Sequence, residues 1–177
     1  MELFEKEISR EIVFNGRIFK TALCQAELPN KDVVSREITV HSGGVCILPI
    51  DDEGYAYFVR QYRYGAEKVL LEAPAGKLEY GEEPLPAALR ELSEETGFTC
   101  ANVVPMGVMY SSPAILTEKI YMFLALGLTG GKQHLDNDEF LEIKRIKLSD
   151  AFSMVMRGEI EDGKSQLLIM KSADYLK

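Results

Sequence analysis

Strand-length apolar runs and helix-length segments interleave along this chain without a regular strand–helix–strand rhythm. That irregularity favours an α/β fold in which a mixed sheet lies between helices, rather than a repetitive parallel sheet. The first 40 residues read as short β runs: Glu11 to Phe14, Ile18 to Leu28 and Val33 to Val40. Asn15-Gly16 marks a hairpin turn between the first two. Strands this short are marginal alone, so the N-terminal β segment, residues 1–40, is expected to pair with the main domain or with a second subunit. The main domain then covers 41–177, a size suited to one core.

After Ser42-Gly43-Gly44 the pattern strengthens. Strands are expected at Val45 to Ile50, Tyr55 to Arg60, Lys68 to Glu72, Val103 to Tyr110, Lys119 to Leu128 and Phe140 to Lys147. Asp51-Asp52-Glu53-Gly54 lacks the spaced ligands and distal glutamate of a calcium loop, and reads as a solvated hairpin turn. Helices are expected at Pro84 to Thr96, Ser149 to Arg157 and Ser165 to Leu176. The first has proline near its start and Gly97 where a C-terminal cap belongs.

With 46% hydrophobic residues, the chain can bury a real core. Its net charge of −8 repels polyanions and argues against nucleic acid as a partner. A small phosphate ester remains open to it through metal ions or a few placed arginines. No apolar stretch is long enough to span a bilayer. The N-terminus lacks the basic and apolar regions of a secretory signal, and Cys24, Cys46 and Cys100 show neither disulfide nor metal spacing. Buried, reduced thiols in a cytoplasmic protein are therefore expected.

The chemistry concentrates in Gly76 to Phe98, GKLEYGEEPLPAALRELSEETGF. On a helix, Glu91, Glu94 and Glu95 fall within an arc of roughly 100°, and Leu85, Leu89, Leu92 and Thr96 line an adjacent face that can pack on the sheet. Like charges at these spacings cost a helix a few tenths of a kcal/mol each. A divalent cation reverses that sign, and carboxylates suit Mg²⁺ or Mn²⁺. Arg90 can reach Glu94, and Glu82 can approach from the preceding loop to hold Arg90.

The segment fits Gly-x5-Glu-x7-Arg-Glu-U-x-Glu-Glu-x-Gly-U at every position, with U apolar. Chance supplies such a match in about one window in a hundred million at average residue usage, so a merely solvated acidic helix is the weaker explanation. The pattern resembles the Nudix box of the Nudix hydrolase superfamily. The resemblance implies an α/β/α sandwich whose loop–helix–loop lies on a mixed sheet, and cleavage of a nucleoside diphosphate linked to another moiety. It assigns metal binding to Glu91 and Glu95, often to Glu94, and to the carbonyl of Ala75.

Flanking features resemble the ADP-ribose pyrophosphatase branch. Arg60-Gln61-Tyr62-Arg63, ahead of Leu71-Glu72-Ala73-Pro74-Ala75-Gly76, is similar to a substrate-binding run that sometimes acts across a dimer interface, which implies a homodimer here. Arginine forks suit diphosphate oxygens, and a tyrosine ring suits an adenine face. Pro113 stands sixteen residues beyond Gly97, as in that branch. Ala114 replaces the glycine many members carry next, and Glu118 stands where an acidic residue follows. A loop glutamate acts on the attacking water in the family; Glu139 is the first candidate and Asp138 the second, with Glu94, Arg90 and Glu82 completing the catalytic set. His134 is expected to face solvent. The expected reaction is hydrolysis of ADP-ribose to AMP and ribose 5-phosphate. GDP-mannose and ADP-glucose are the alternative substrates, and a non-catalytic ADP-ribose sensor is a further one.

Overall fold

The computed structural model describes residues 3–79, 81–135 and 139–176. The chain divides into two compact units, Met1–Gly43 with Tyr110–Lys119, and Gly44–Met109 with Ile120–Lys177.

The first unit holds a three-stranded antiparallel sheet in the order β1-β2-β3, with β1 Lys6–Asn15, β2 Lys20–Glu27 and β3 Val33–Val40. Alternation along β2 buries Ala22, Cys24 and Ala26 on one face. β1 is exposed along its whole length, Ile8, Ile12 and Phe14 included. The hairpin forms where Asn15-Gly16 predicts it, but not as a two-residue turn. Asn15 pairs with Lys20, and Gly16 N–H donates to the Phe19 carbonyl at 3.0 Å across a wider loop. The Phe14 and Phe19 rings meet across that loop at 5.5 Å, a contact a tighter turn could not make. Thr39 pairs with Leu116, tying the 110–119 segment into this unit.

The second unit is a seven-stranded mixed sheet flanked by helices. Its strands are β4 Gly44–Ile50, β5 Tyr55–Arg63, β6 Lys68–Glu72, β7 Ala75–Lys77, β8 Thr99–Tyr110, β9 Lys119–Thr129 and β10 Leu141–Lys147. The order is β10-β5-β4-β9-β8, with β6 on β5 and β7 on β4. β4 runs parallel to β9 and antiparallel to β7, so the sheet is mixed as the sequence pattern favours. The helices are α1 Pro84–Thr96, α2 Leu148–Met156 and α3 Gly163–Tyr175.

β4 is buried on both faces, and its side chains part by the two-residue period of a strand. Val45 and Ile47 join Ala87, Ala88 and Leu92 of α1, together with Phe123 and Ala125. Cys46, Leu48 and Ile50 join the opposite cluster, with Leu148 and Ala151 of α2 and Leu168 and Ile169 of α3. One strand thus feeds both layers of the sandwich. Along its other edge β4 pairs with β7 over Gly44 to Cys46, donates from Ile47 N–H to the Pro74 carbonyl, and meets β5 at Ile50. Pro49, with no N–H to offer, falls in the gap.

The face that α1 buries differs from the one expected. Leu92 and Thr96 are buried, but Leu85 and Leu89 remain exposed, and Ala87 and Ala88 take the contact positions. Small side chains there let the helix lie close on the sheet, which rotates the leucines outward and the glutamates inward.

Candidate active site

Proline in the first turn and Gly97 after the last fix α1 where the sequence predicts it. Gly97 adopts φ 74°, the left-handed conformation glycine tolerates, and its N–H closes the helix onto the Ser93 carbonyl. On the inward face, Glu91 and Glu95 are 7% and 3% exposed. Carboxylates one turn apart and this dry are costly without a counter-charge.

Two features hold them. β7 sets the Ala75 N–H to donate to Glu95 Oε2 at 3.1 Å. Gly76 makes room for Glu91: a Cβ at residue 76 would stand 1.8 Å from Glu91 Oε1, so any side chain there would evict the carboxylate. The box glycine is therefore a seat for Glu91 rather than a flexible turn. Gly44, which pairs with Lys77 across β4 and β7, is similarly confined, since its Cβ would lie 2.8 Å from the Gly76 carbonyl oxygen.

Arg90 organises the outer side as the sequence predicts. Its Nε and Nη2 donate to Glu82 at 3.0 and 3.2 Å, and Nη1 donates to Glu91 and Glu94 at 2.8 Å each. Glu82 also accepts the Glu79 N–H at 2.9 Å, which ties the loop before α1 to the helix. The arginine holds the Glu82 carboxyl below its ordinary range. The buried pair, Glu91 and Glu95, moves the opposite way. Burial, with the charge of Glu91 beside it, pushes Glu95 up to about 8 despite the Ala75 hydrogen bond. Burial also raises Glu91, against the pull of Arg90. Two desolvated acids resisting ionisation side by side are what a cation would relieve.

Among the described residues no three His, Cys, Asp or Glu side chains already converge around one point. A cation here would take Glu91, Glu95 and neighbouring carbonyl oxygen, and complete its shell with water and phosphate oxygens. Mg²⁺ binds in that way, so the donor set fits.

The loop after β9 is fastened to the C-terminal end of α1. His134 N–H donates to the Glu94 carbonyl at 3.0 Å, and Gln133 Nε2 to the Glu95 carbonyl. These bonds satisfy carbonyls the helix leaves unpaired. The His134 side chain itself is exposed, as expected. The loop leads to Glu139, whose charge is felt at both Glu91 and Glu95. Asp138, the second candidate base, lies outside the described residues.

Arg60, Tyr62 and Glu139 line one cavity of about 440 Å³ with Gln61, Val69, Leu135, Phe140, Leu141 and Glu142. Arg60 meets Glu142 at 3.3 Å and Tyr62 is exposed. Arg63 and Glu72 are engaged with each other: Nε and Nη2 donate to the two Glu72 oxygens at 2.7 and 2.8 Å. Lys164 adds a third bond to Glu72 at 2.5 Å. Nothing local in the sequence points to Lys164, because it arrives from α3, 92 positions away. Pro113 and Glu118 belong to the first unit. Glu118 accepts the Ser111 hydroxyl at 2.6 Å and stands 3.3 Å from His41 Nδ1, while Pro113 lines a cavity of about 510 Å³ beside Arg10 and Arg36.

A mixed sheet between helices, with the acidic face of α1 seated on β7 at Gly76, makes an α/β/α sandwich. The Nudix domain model matches residues 40–168, and the chain belongs to the Nudix family. It is 41% identical over 169 residues to an ADP-ribose pyrophosphatase of Bacillus subtilis (strain 168), across 94% of this chain and 91% of that protein. It is 38% identical over 167 residues to a methanol dehydrogenase activator of Bacillus methanolicus, across 93% and 90%. The fold matches the crystal structure of an ADP compounds hydrolase with a TM-score of 0.86 at 22% identity, covering 99% of this chain and 96% of that one.

Proposed function

We propose that this enzyme hydrolyses the diphosphate bridge of ADP-ribose to AMP and ribose 5-phosphate, with Mg²⁺ as its cation and Mn²⁺ able to replace it. The observation that carries the reading is the pair of buried carboxylates, Glu91 and Glu95, one turn apart on α1, with Glu95 bonded to the Ala75 N–H of β7 and Glu91 to Arg90. The substrate choice rests on the relative at 41% identity and on the Arg60–Tyr62 wall of the neighbouring cavity.

In this reading Glu91, Glu95 and the Ala75 carbonyl hold the cation, and the more exposed Glu94 completes the set. A bound divalent ion supplies charge neutralisation for the diphosphate and lowers the pKa of water beside it. Arg90 aims Glu91 and Glu94, and Glu82 fixes Arg90. Glu139 takes the proton of the attacking water. Arg60 faces phosphate oxygen and the Tyr62 ring offers a surface for adenine. Arg63 and Glu72, bonded to each other, are assigned to substrate by the family pattern, as are Pro113 and Glu118.

Incubating the enzyme with ADP-ribose, ADP-glucose and GDP-mannose, each with Mg²⁺ and with Mn²⁺, tests this directly. AMP and ribose 5-phosphate should appear fastest from ADP-ribose. A kcat/KM higher for GDP-mannose would move the substrate, and no cleavage of any of the three would end the hydrolase reading.

The exposed apolar side chains of β1, Ile8, Ile12, Val13 and Phe14, support a homodimer built through the N-terminal β segment, residues 1–40, with residues 41–177 as the catalytic domain. Sedimentation of wild type against Ile12→Lys should separate a dimer from a monomer. Three free cysteines suit a reducing compartment, and the reading places the enzyme in the cytoplasm.

A further inference from the structure

The first turn of α3 reaches the end of β6 and the residue after it, two positions before Ala75. Asp162 caps the helix by accepting the Ser165 N–H at 3.0 Å, and the Ser165 hydroxyl also donates to it. That hydroxyl in turn accepts the Ala73 N–H at 2.7 Å. Lys164 bridges Asp162 at 2.8 Å and Glu72 at 2.5 Å. Two consecutive residues of the chain, Glu72 and Ala73, are therefore gripped from one helical turn. Ser165 is wholly buried, so no water replaces it if it is lost. The next two residues are fixed from the other side: the Pro74 carbonyl accepts Ile47 N–H at 2.9 Å, and Ala75 N–H donates to Glu95.

We infer that Asp162, Lys164 and Ser165 are positioning residues, a clamp that sets the Ala73–Ala75 backbone and with it the orientation of the Ala75 peptide against Glu95. The inference rests on the proposed reaction for its consequence, and on the hydrogen-bond chain alone for its geometry. An end cap and an ion bridge of α3 would stabilise that helix without touching β7. Here Lys164 and Ser165, held in place by Asp162, reach past their own helix to Glu72 and Ala73, the residues that lead into β7.

The test compares Ser165→Ala, Ser165→Thr and Lys164→Met with wild type by amide exchange and by Mg²⁺ binding. In metal-free Ser165→Ala the Ala73 and Ala75 amides should exchange about tenfold faster, while amides of α1 and β9 keep their rates. The Mg²⁺ concentration for half-maximal binding, read by calorimetry, should rise about tenfold, with KM for ADP-ribose at saturating Mg²⁺ within twofold of wild type. Ser165→Thr keeps the hydroxyl and should restore both. Lys164→Met, on a less buried side chain, should shift both in the same direction, and it serves if Ser165→Ala fails to fold. Unchanged Ala75 exchange and Mg²⁺ binding in both variants would overturn the clamp, as would acceleration spread evenly over the domain. If wild type binds no Mg²⁺, the proposed function falls, and Ala75 exchange alone decides the clamp.

Discussion

Glu95→Gln should push stability and activity in opposite directions. In the metal-free protein the Glu95 carboxyl, 3% exposed beside Glu91, is raised from 4.5 to about 8. A carboxyl raised on folding contributes stability that is fully present below its unfolded value and is lost as pH rises through the folded one. Carrying one group over that range costs at most ~4 kcal/mol at pH 8, and coupling to the neighbouring Glu91 brings the net below that. The substituted amide keeps an oxygen for the Ala75 N–H and carries no charge. The variant and wild type should therefore melt alike near pH 5 in EDTA. By pH 8 the variant should lead by about 5 °C, given the entropy of unfolding of a domain this size. Adding Mg²⁺ should stabilise wild type and leave the variant unmoved, while turnover of ADP-ribose falls by a factor of ~10³ or more. Urea or thermal melts at pH 5, 7 and 8, with and without Mg²⁺, read all of this. A variant less stable than wild type at pH 8 without metal, or one with near-normal turnover, refutes the argument from buried charge.

Other outcomes follow from the same geometry. Gly76→Ala should lower kcat by at least ~100-fold, because the new Cβ occupies the place of Glu91 Oε1; melting temperature and steady-state kinetics separate this from unfolding. Arg90→Met leaves Glu82, Glu91 and Glu94 without their shared donor. It should cut turnover by ~10–100-fold and raise the Mg²⁺ requirement, both measurable by a metal titration of the rate. Gly97→Ala puts a Cβ 2.8 Å from the Lys132 carbonyl carbon at φ 74°, and should cost about 2–3 kcal/mol in urea denaturation. Gln133→Ala removes the side-chain bond to the Glu95 carbonyl and should lower kcat more than it raises KM, by loosening the loop that leads to Glu139.

What can be read in the residues is what chain-local chemistry decides. Proline and glycine bracket α1 so sharply that its limits, Pro84 and Thr96, match the expected ones. The Arg90–Glu94 contact follows because helical spacing alone brings them together. β7 is not among the expected strands: Ala75-Gly76-Lys77 has no apolar alternation, and it is a strand only because β4 offers it an edge. The burial of Ala87 and Ala88 in place of Leu85 and Leu89 depends on how closely helix and sheet approach, which periodicity does not encode. Lys164 on Glu72 and Ser165 on Ala73 join positions 92 apart, and no local pattern marks them. A helix beginning near Ser165 is legible in the chain; the reach of that serine to another element is not.

The division of β4 between two cores has a consequence for how this chain can vary. Deleting one residue within Val45 to Ile50 would turn each following side chain to the other layer, sending the partners of α1 toward α2 and α3 and the reverse. Connecting segments elsewhere can lengthen or shorten by single steps. This strand can tolerate length changes only in pairs, so its parity, more than its composition, is what drift in the sequence must preserve.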